Sequence, residues 1–148
     1  MRGVKGSARI RTVALVATCA IVALGALAPA ASARRVARKS ATAVLPSVFP
    51  SGRLRDGERV VSVSAHAGPD AQIEVVLQAF CLDDNLRFHR RQRTFTGTGA
   101  VRGQVRRPRG RFQDCTASAS VRVTSRPLSV SGQTPGPTRL GAALYAKR

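Results

Sequence analysis

Arginine is concentrated in two short segments of this 148-residue chain. The first segment contains Arg87, Arg90, Arg91 and Arg93, and the second contains Arg106, Arg107, Arg109 and Arg111. Guanidinium groups bind phosphate and carboxylate through two parallel hydrogen bonds, and clusters of them bind polyanions with a salt-dependent affinity. We therefore predict that these eight arginines form an anion-binding site. The alternative is a charged surface that only keeps the protein soluble.

The two histidines, His66 and His89, are the residues that could carry acid–base catalysis. Cleavage of RNA requires two groups that titrate near neutral pH and a clamp for the phosphate, which the arginines could supply. No motif connects His66 with His89, so we predict no catalytic residue and a protein that is not an enzyme. A secreted nuclease-like hydrolase or toxin that uses one of these histidines is the alternative, and a structural or inhibitory surface protein is a third possibility.

Neither a metal site nor a cofactor site is predicted. The cysteines and histidines lack the spacing of metal ligands. The neighbouring acids Asp83 and Asp84 lack a calcium-binding loop, and we expect them to balance Arg87 and Arg90.

The first 33 residues have the organisation of a secretory signal peptide. Four basic residues precede an apolar run at 13–28, Pro29 follows it, and the small residues at 31–33 form a cleavage site. We predict cleavage after Ala33 and a secreted protein, free or associated with the cell wall. Because Arg34 and Arg35 follow the site directly, an uncleaved N-terminal anchor is the alternative.

Cleavage would leave 115 residues with 21 basic and 7 acidic side chains, a net charge of +14. This charge favours a polyanionic partner: a cell-wall polymer, a nucleic acid or an anionic membrane surface. No small-molecule cofactor is expected. The strong preference for arginine over lysine is typical of coding in a high-GC bacterial genome.

Two cysteines, Cys81 and Cys115, remain after cleavage, and in an oxidising compartment they are predicted to form one disulfide. Cys81 ends an alternating run at 72–81 and Cys115 begins another at 115–123. If residues 94–105 formed one long strand of a meander, the cysteines would lie about 25 to 30 Å apart. A disulfide requires Cα atoms within about 7 Å. We therefore predict a hairpin that turns at 97–99 and places both arginine segments, interpreted as loops, at the end of the domain that carries the disulfide.

These runs predict an all-β protein, a small antiparallel β-sandwich of six or seven strands with one disulfide. Residues 59–67 and 72–81 are expected to pair as a hairpin. Residues 34–50 are predicted to be a basic flexible arm and residues 51–148 the sandwich domain. In size and in its single cysteine pair, this domain resembles an immunoglobulin-like sandwich. It departs from immunoglobulin domains in having no core tryptophan and a shorter spacing between the cysteines.

Overall fold

The computed structural model describes residues 32–125 and 136–148, and these form two antiparallel β-sheets. The strands are β1 Arg34–Ala43, β2 Ser47–Val48, β3 Ser51–Arg53, β4 Val60–His66, β5 Gln72–Leu82, β6 Phe88–Thr98, β7 Ala100–Arg106, β8 Asp114–Ser125 and β9 Thr138–Lys147. The first sheet has the order β1-β9-β4-β7. The second has the order β2-β8-β5-β6, with β3 also paired to β8. The predicted all-β sandwich is confirmed. The described residues contain nine strands rather than six or seven, since β1, β2 and β3 form where no strand was predicted.

The core is small and aliphatic. Side chains from both sheets are buried together in it: Val61, Val63 and Ala65 of β4, Ile73, Val75, Leu77, Ala79 and Cys81 of β5, Cys115, Ala117, Ala119, Val121 and Val123 of β8, and Leu140, Ala142, Leu144 and Ala146 of β9. A strand exposes alternate residues to opposite faces, so the buried face of a half-covered strand can be read from its sequence.

The disulfide predicted between Cys81 and Cys115 is present. The two residues lie directly opposite each other on β5 and β8, with Cα atoms 4.1 Å apart. We call the end of the sandwich that carries this bond the disulfide pole. The bond closes a loop with a sequence separation of 34 residues and reinforces a thin core.

Residues 34–50 do not form the predicted flexible arm. Arg34–Ala43 is the edge strand β1 of the first sheet, paired with β9 from Arg34 opposite Ala146 to Ala43 opposite Thr138. An edge strand needs backbone pairing on one side only, so it can form without a continuous apolar face. The predicted domain boundary at residue 51 therefore falls inside the sandwich.

Two predicted hairpins also require correction. β4 and β5 do not pair with each other, because the turn between them carries the chain from the first sheet to the second. The turn at 97–99 is present, with Gly99 at a φ of 71°. It likewise carries the chain between sheets, so β6 and β7 do not form a paired hairpin.

The hairpin that does form joins β5 to β6, in register from Leu82 opposite Phe88 to Gln72 opposite Thr98. Residues 82–93 were expected to be a loop, but the chain turns at 83–87 and residues 88–93 belong to β6.

The predicted signal peptide up to residue 31 lies outside the described residues. Residues 128–131, for which the sequence predicts a short strand, lie outside them as well. The described part of the chain has no helix with the length and hydropathy needed to span a membrane.

Candidate anion-binding groove

A groove of about 850 Å³ lies at the disulfide pole, where strands of the two sheets face each other. Six arginines line it: Arg59, Arg91, Arg106, Arg107, Arg109 and Arg148. The remaining lining is apolar or bare backbone, from Val60, Pro108, Gly57 and Gly110. Among the described residues that line it, none is acidic. We call this site the arginine groove.

The groove is open because β6 and β7 belong to different sheets. Phe95 on β6 packs against the core, and its ring lies where a side chain at position 103 of β7 would be, so Gly103 leaves room for it. Nearer the disulfide pole, Arg93 and Arg91 have the same inward parity as Phe95, because they lie opposite the buried residues Leu77 and Ala79 of β5. Both arginines are nevertheless exposed. The interior of the sandwich is therefore open to solvent at this edge.

The segment between β7 and β8 forms the other side of the groove. Its start is held by a hydrogen bond from the Arg107 backbone N–H to the Arg59 carbonyl oxygen, at 2.8 Å. Its end is held by a hydrogen bond from the Gln113 N–H to the Leu82 carbonyl oxygen, at 2.9 Å. Residues 107–113 are thus fixed at both ends beside the disulfide.

Phe112 connects the two arginine segments through contacts that have no signal in the sequence. The Arg107 guanidinium lies over the Phe112 ring at 5.5 Å from its centroid. The His89 ring packs against Phe112 at a centroid distance of 5.2 Å. Stacking on an aromatic face orients a guanidinium without neutralising its charge. The contact therefore positions Arg107 and leaves it able to bind an anion.

Asp83 organises the turn that leads into β6. One carboxylate oxygen contacts His89 Nε2 at 2.8 Å, and the other accepts hydrogen bonds from the backbone N–H groups of Asn85 and Arg87, each at 2.9 Å. The pKa of Asp83 is lowered, most strongly by the hydrogen bond with His89 and next by the hydrogen bond from the Arg87 N–H. The expectation that Asp83 balances the guanidinium groups of Arg87 and Arg90 is therefore wrong.

The structure brings together half of the eight predicted arginines. Arg91, Arg106, Arg107 and Arg109 line the groove, whereas Arg87, Arg90, Arg93 and Arg111 are exposed outside it. Arg90 alternates to the outer face of β6, opposite Phe80. His89 lies opposite Cys81 on the neighbouring strand. Arg93 is four residues further along β6, so it lies about 13 Å along the strand from the disulfide.

Two groove residues were not predicted. Arg59 precedes β4 and Arg148 follows β9, and Arg59 N–H donates to the Lys147 carbonyl oxygen at 2.9 Å. Each is an isolated arginine with no local sequence signal. Pairing of β4 with both β7 and β9 brings these strand ends to the groove.

None of the eight predicted arginines forms a salt bridge within the described residues. The salt bridges there join Arg34 to Glu58, Arg53 to Asp114, Arg122 to Glu74 and His89 to Asp83. Four of the seven acidic side chains are thus paired with residues that do not line the groove. No salt bridge among the described residues neutralises a groove arginine.

His66 and His89 cannot act together on one phosphodiester bond. His66 pairs with Ala100 next to the turn at 97–99, whereas His89 lies nine residues before Thr98 on β6, about 30 Å from that turn. The arrangement excludes these two histidines as an acid–base pair. Within residues 32–125 and 136–148, no group of three or more histidine, cysteine or acidic side chains could hold a metal ion.

Comparison with known proteins assigns no family. No family model matches the chain, and no curated protein matches it. Among solved structures, the carbohydrate-binding module TmCBM61, in complex with β-1,4-galactotriose, is similar with a TM-score of 0.47 and 16% sequence identity. The likeness covers 74% of this chain and 68% of that chain. A TM-score and an identity this low do not carry that protein's ligand over to this one.

Proposed function

We propose that this protein is a non-catalytic binding protein that holds a polyanion in the arginine groove. The observation that carries the proposal is the groove itself, with six arginines in its lining and no acidic residue among the described residues that line it. A chain of phosphate or carboxylate groups would displace counterions there, and each contact would contribute to a salt-dependent affinity. Phe112 supports this function because its ring orients the Arg107 guanidinium.

The structure offers a control that separates a binding site from net charge. Arg102 and Arg139 are exposed, and neither forms a salt bridge among the described residues. Arg102 lies on β7 opposite Ser64, and Arg139 lies on β9 opposite Thr42, far from the disulfide pole. The double variant Arg102→Gln/Arg139→Gln therefore removes as much charge as Arg91→Gln/Arg106→Gln and leaves the groove intact.

The test is a titration of labelled inorganic polyphosphate at several salt concentrations. The groove double variant, Arg91→Gln/Arg106→Gln, is expected to weaken binding at least tenfold. A plot of the logarithm of the association constant against the logarithm of the salt concentration should lose about 2 from the magnitude of its slope, one for each lost phosphate contact. The control double variant should change both quantities much less. Equal effects of the two double variants would show that the charge is incidental and would overturn the proposal. Incubation with RNA and DNA tests the hydrolase alternative, for which cleavage products are the diagnostic result.

We also propose that the protein is exported and processed after Ala33. The disulfide is of the kind that persists in oxidising compartments. Cleavage at this position would leave β1 complete, because it begins at Arg34. N-terminal sequencing of protein recovered from culture medium tests this proposal: a chain that starts at Arg34 supports it, and a cell-bound chain that retains residues 1–33 supports the anchored alternative.

A further inference from the structure

The turn between β5 and β6 exposes two large apolar side chains. We call residues 83–88 the hairpin tip. Leu86 is 70% exposed and Phe88 is 81% exposed, the two highest values among the large apolar residues described. They lie one residue apart on either side of Arg87, at the disulfide pole. Neither side chain contributes to the core.

The backbone holds Leu86 in a conformation that its side chain disfavours. Leu86 has a φ of 60° and is the one residue other than glycine with a positive φ in the described part of the chain. Glycine, asparagine or aspartate is the usual residue there. The Leu86 N–H donates to the Asp83 carbonyl oxygen at 3.0 Å, and the Asp83 N–H donates to the Arg87 carbonyl oxygen at 3.1 Å. Such residues persist where the surroundings impose them, and they concentrate at functional positions.

The charges around the tip match an anionic surface. Arg87 lies between the two apolar residues, and Arg90 shares the outer face of β6 with Phe88. Neither guanidinium forms a salt bridge among the described residues. On the acidic side, Asp83 is occupied by His89 and backbone N–H groups, and Asp84 is exposed. Next to the two apolar side chains, the unpaired guanidinium groups of Arg87 and Arg90 therefore face a single exposed acid, Asp84.

We propose that the hairpin tip docks onto an anionic lipid surface, with Leu86 and Phe88 inserted at the boundary between headgroups and acyl chains. Arg87, Arg90 and the arginine groove then contact lipid phosphates. This inference rests on the proposed function and specifies an anionic lipid surface as the polyanion. A soluble polymer would satisfy the arginines but leave both apolar side chains in water. A lipid surface accommodates both, since peripheral binding combines buried apolar area with attraction to anionic headgroups.

The experiment uses the chain from Arg34 to Arg148, which contains every described strand and every buried core residue. This choice removes the apolar run at 13–28, which would bind vesicles by its own hydrophobicity. Cosedimentation is measured with vesicles of phosphatidylglycerol and phosphatidylcholine, and with phosphatidylcholine alone. Binding is expected only to the anionic vesicles.

Two matched double variants, called the tip pair and the control pair, localise the contact with the lipid surface. Leu86→Asn/Phe88→Thr removes the apolar tip, and asparagine suits the left-handed backbone at position 86. Leu45→Asn/Phe49→Thr removes exposed apolar side chains away from the tip. The tip pair is expected to lower vesicle partition at least tenfold, and the control pair less than twofold. An unchanged partition for the tip pair would overturn the inference.

The chain has no tryptophan, so one introduced residue reports on a single site. Tryptophan emission in the Phe88→Trp variant is expected to shift to shorter wavelength on anionic vesicles, and emission in Phe49→Trp should stay constant. Bound protein with an unshifted Phe88→Trp spectrum would contradict insertion.

The remaining outcomes separate this inference from the proposed function. Binding of polyphosphate without binding of vesicles overturns the lipid inference and leaves the proposed function standing. Binding of neither overturns both. Weaker binding of single-stranded RNA by Phe88→Thr but not by Leu86→Asn would show that Phe88 stacks on a base, which also overturns the lipid inference.

Discussion

Arg34 and Glu58 form a two-point ion pair that ties β1 to the turn before β4. The guanidinium Nε and Nη2 donate to the two carboxylate oxygens at 2.6 and 2.8 Å. Glu58 also accepts the Arg55 N–H at 2.7 Å and is only 5% exposed. A buried carboxylate requires such partners, and here they hold the first residue of the edge strand against the sandwich.

We expect Glu58→Gln to lower the free energy of unfolding by about 1 to 3 kcal/mol, because charge-assisted hydrogen bonds to a buried group become neutral ones. Urea unfolding measures this loss, and an unchanged m value shows that the variant differs in stability and not in the surface exposed on unfolding. Asp114→Asn is the matched control. It breaks the exposed ion pair with Arg53, and exposed pairs contribute about 0 to 1 kcal/mol. Equal losses in the two variants would contradict the structural role of Glu58.

The same ion pair predicts a loss of stability in acid. The hydrogen bonds from Arg34 hold the pKa of Glu58 below its ordinary value; burial acts in the opposite direction, and the Arg55 N–H lowers the pKa again. The ionised carboxylate therefore stabilises the folded state fully above the unfolded pKa of about 4.3, and this contribution is lost as the pH falls through the folded pKa. Asp83, with its lowered pKa, acts in the same direction.

Unfolding free energies measured between about pH 6 and pH 3 should therefore fall more steeply for the unmodified protein than for Glu58→Gln. The Asp83 contribution is common to both proteins and cancels in the comparison. Parallel curves would show that Glu58 has the same pKa in the folded and unfolded states.

Replacement of both cysteines, Cys81→Ala/Cys115→Ala, is expected to lower the free energy of unfolding by about 3 to 4 kcal/mol, from the entropy of the released loop. The measurement is urea unfolding of the chain from Arg34 to Arg148, which leaves out Cys19. Thiol titration of the unmodified protein in denaturant should find no free thiol. Free thiols on both cysteines would contradict the disulfide.

Gly103 leaves the space that the Phe95 ring fills between β6 and β7. Gly103→Val is expected to destabilise the protein by about 1 to 3 kcal/mol through overpacking. The loss should be smaller in a Phe95→Ala background, and thermal unfolding of the four proteins in the cycle measures this coupling. Gly68→Ala is the control, since no atom lies within 4 Å of its added carbon. Additive losses at positions 95 and 103 would contradict the contact.

Much of the fold can be predicted from the sequence, because burial of one face of a strand leaves a local pattern. The alternating runs identify the buried residues of β4, β5 and β8 correctly, for example Val61, Leu77 and Val121. The disulfide follows from the presence of two cysteines after position 33, and the turn at 97–99 follows from the distance that their bond must close. These features depend on neighbouring residues or on one covalent constraint.

The assignment of strands to sheets depends on contacts between distant residues. The turn at 68–70 has the same residues whether its strands pair or diverge, so the sequence does not show that β4 and β5 enter different sheets. β1 has no continuous apolar face, and its strand conformation comes from pairing with β9 at the other end of the chain. A local pattern cannot carry that information.

The candidate site, too, could be predicted from the sequence only in part. The two arginine segments are visible in the sequence, and they contain four of the groove residues: Arg91, Arg106, Arg107 and Arg109. Arg59 and Arg148 join them because β4 pairs with both β7 and β9, and the groove opens because β6 and β7 lie in separate sheets. Composition thus specifies how much positive charge the protein carries. Where that charge converges is set by which strands exchange hydrogen bonds, since strand pairing brings side chains from remote parts of the chain within a few ångströms of one another.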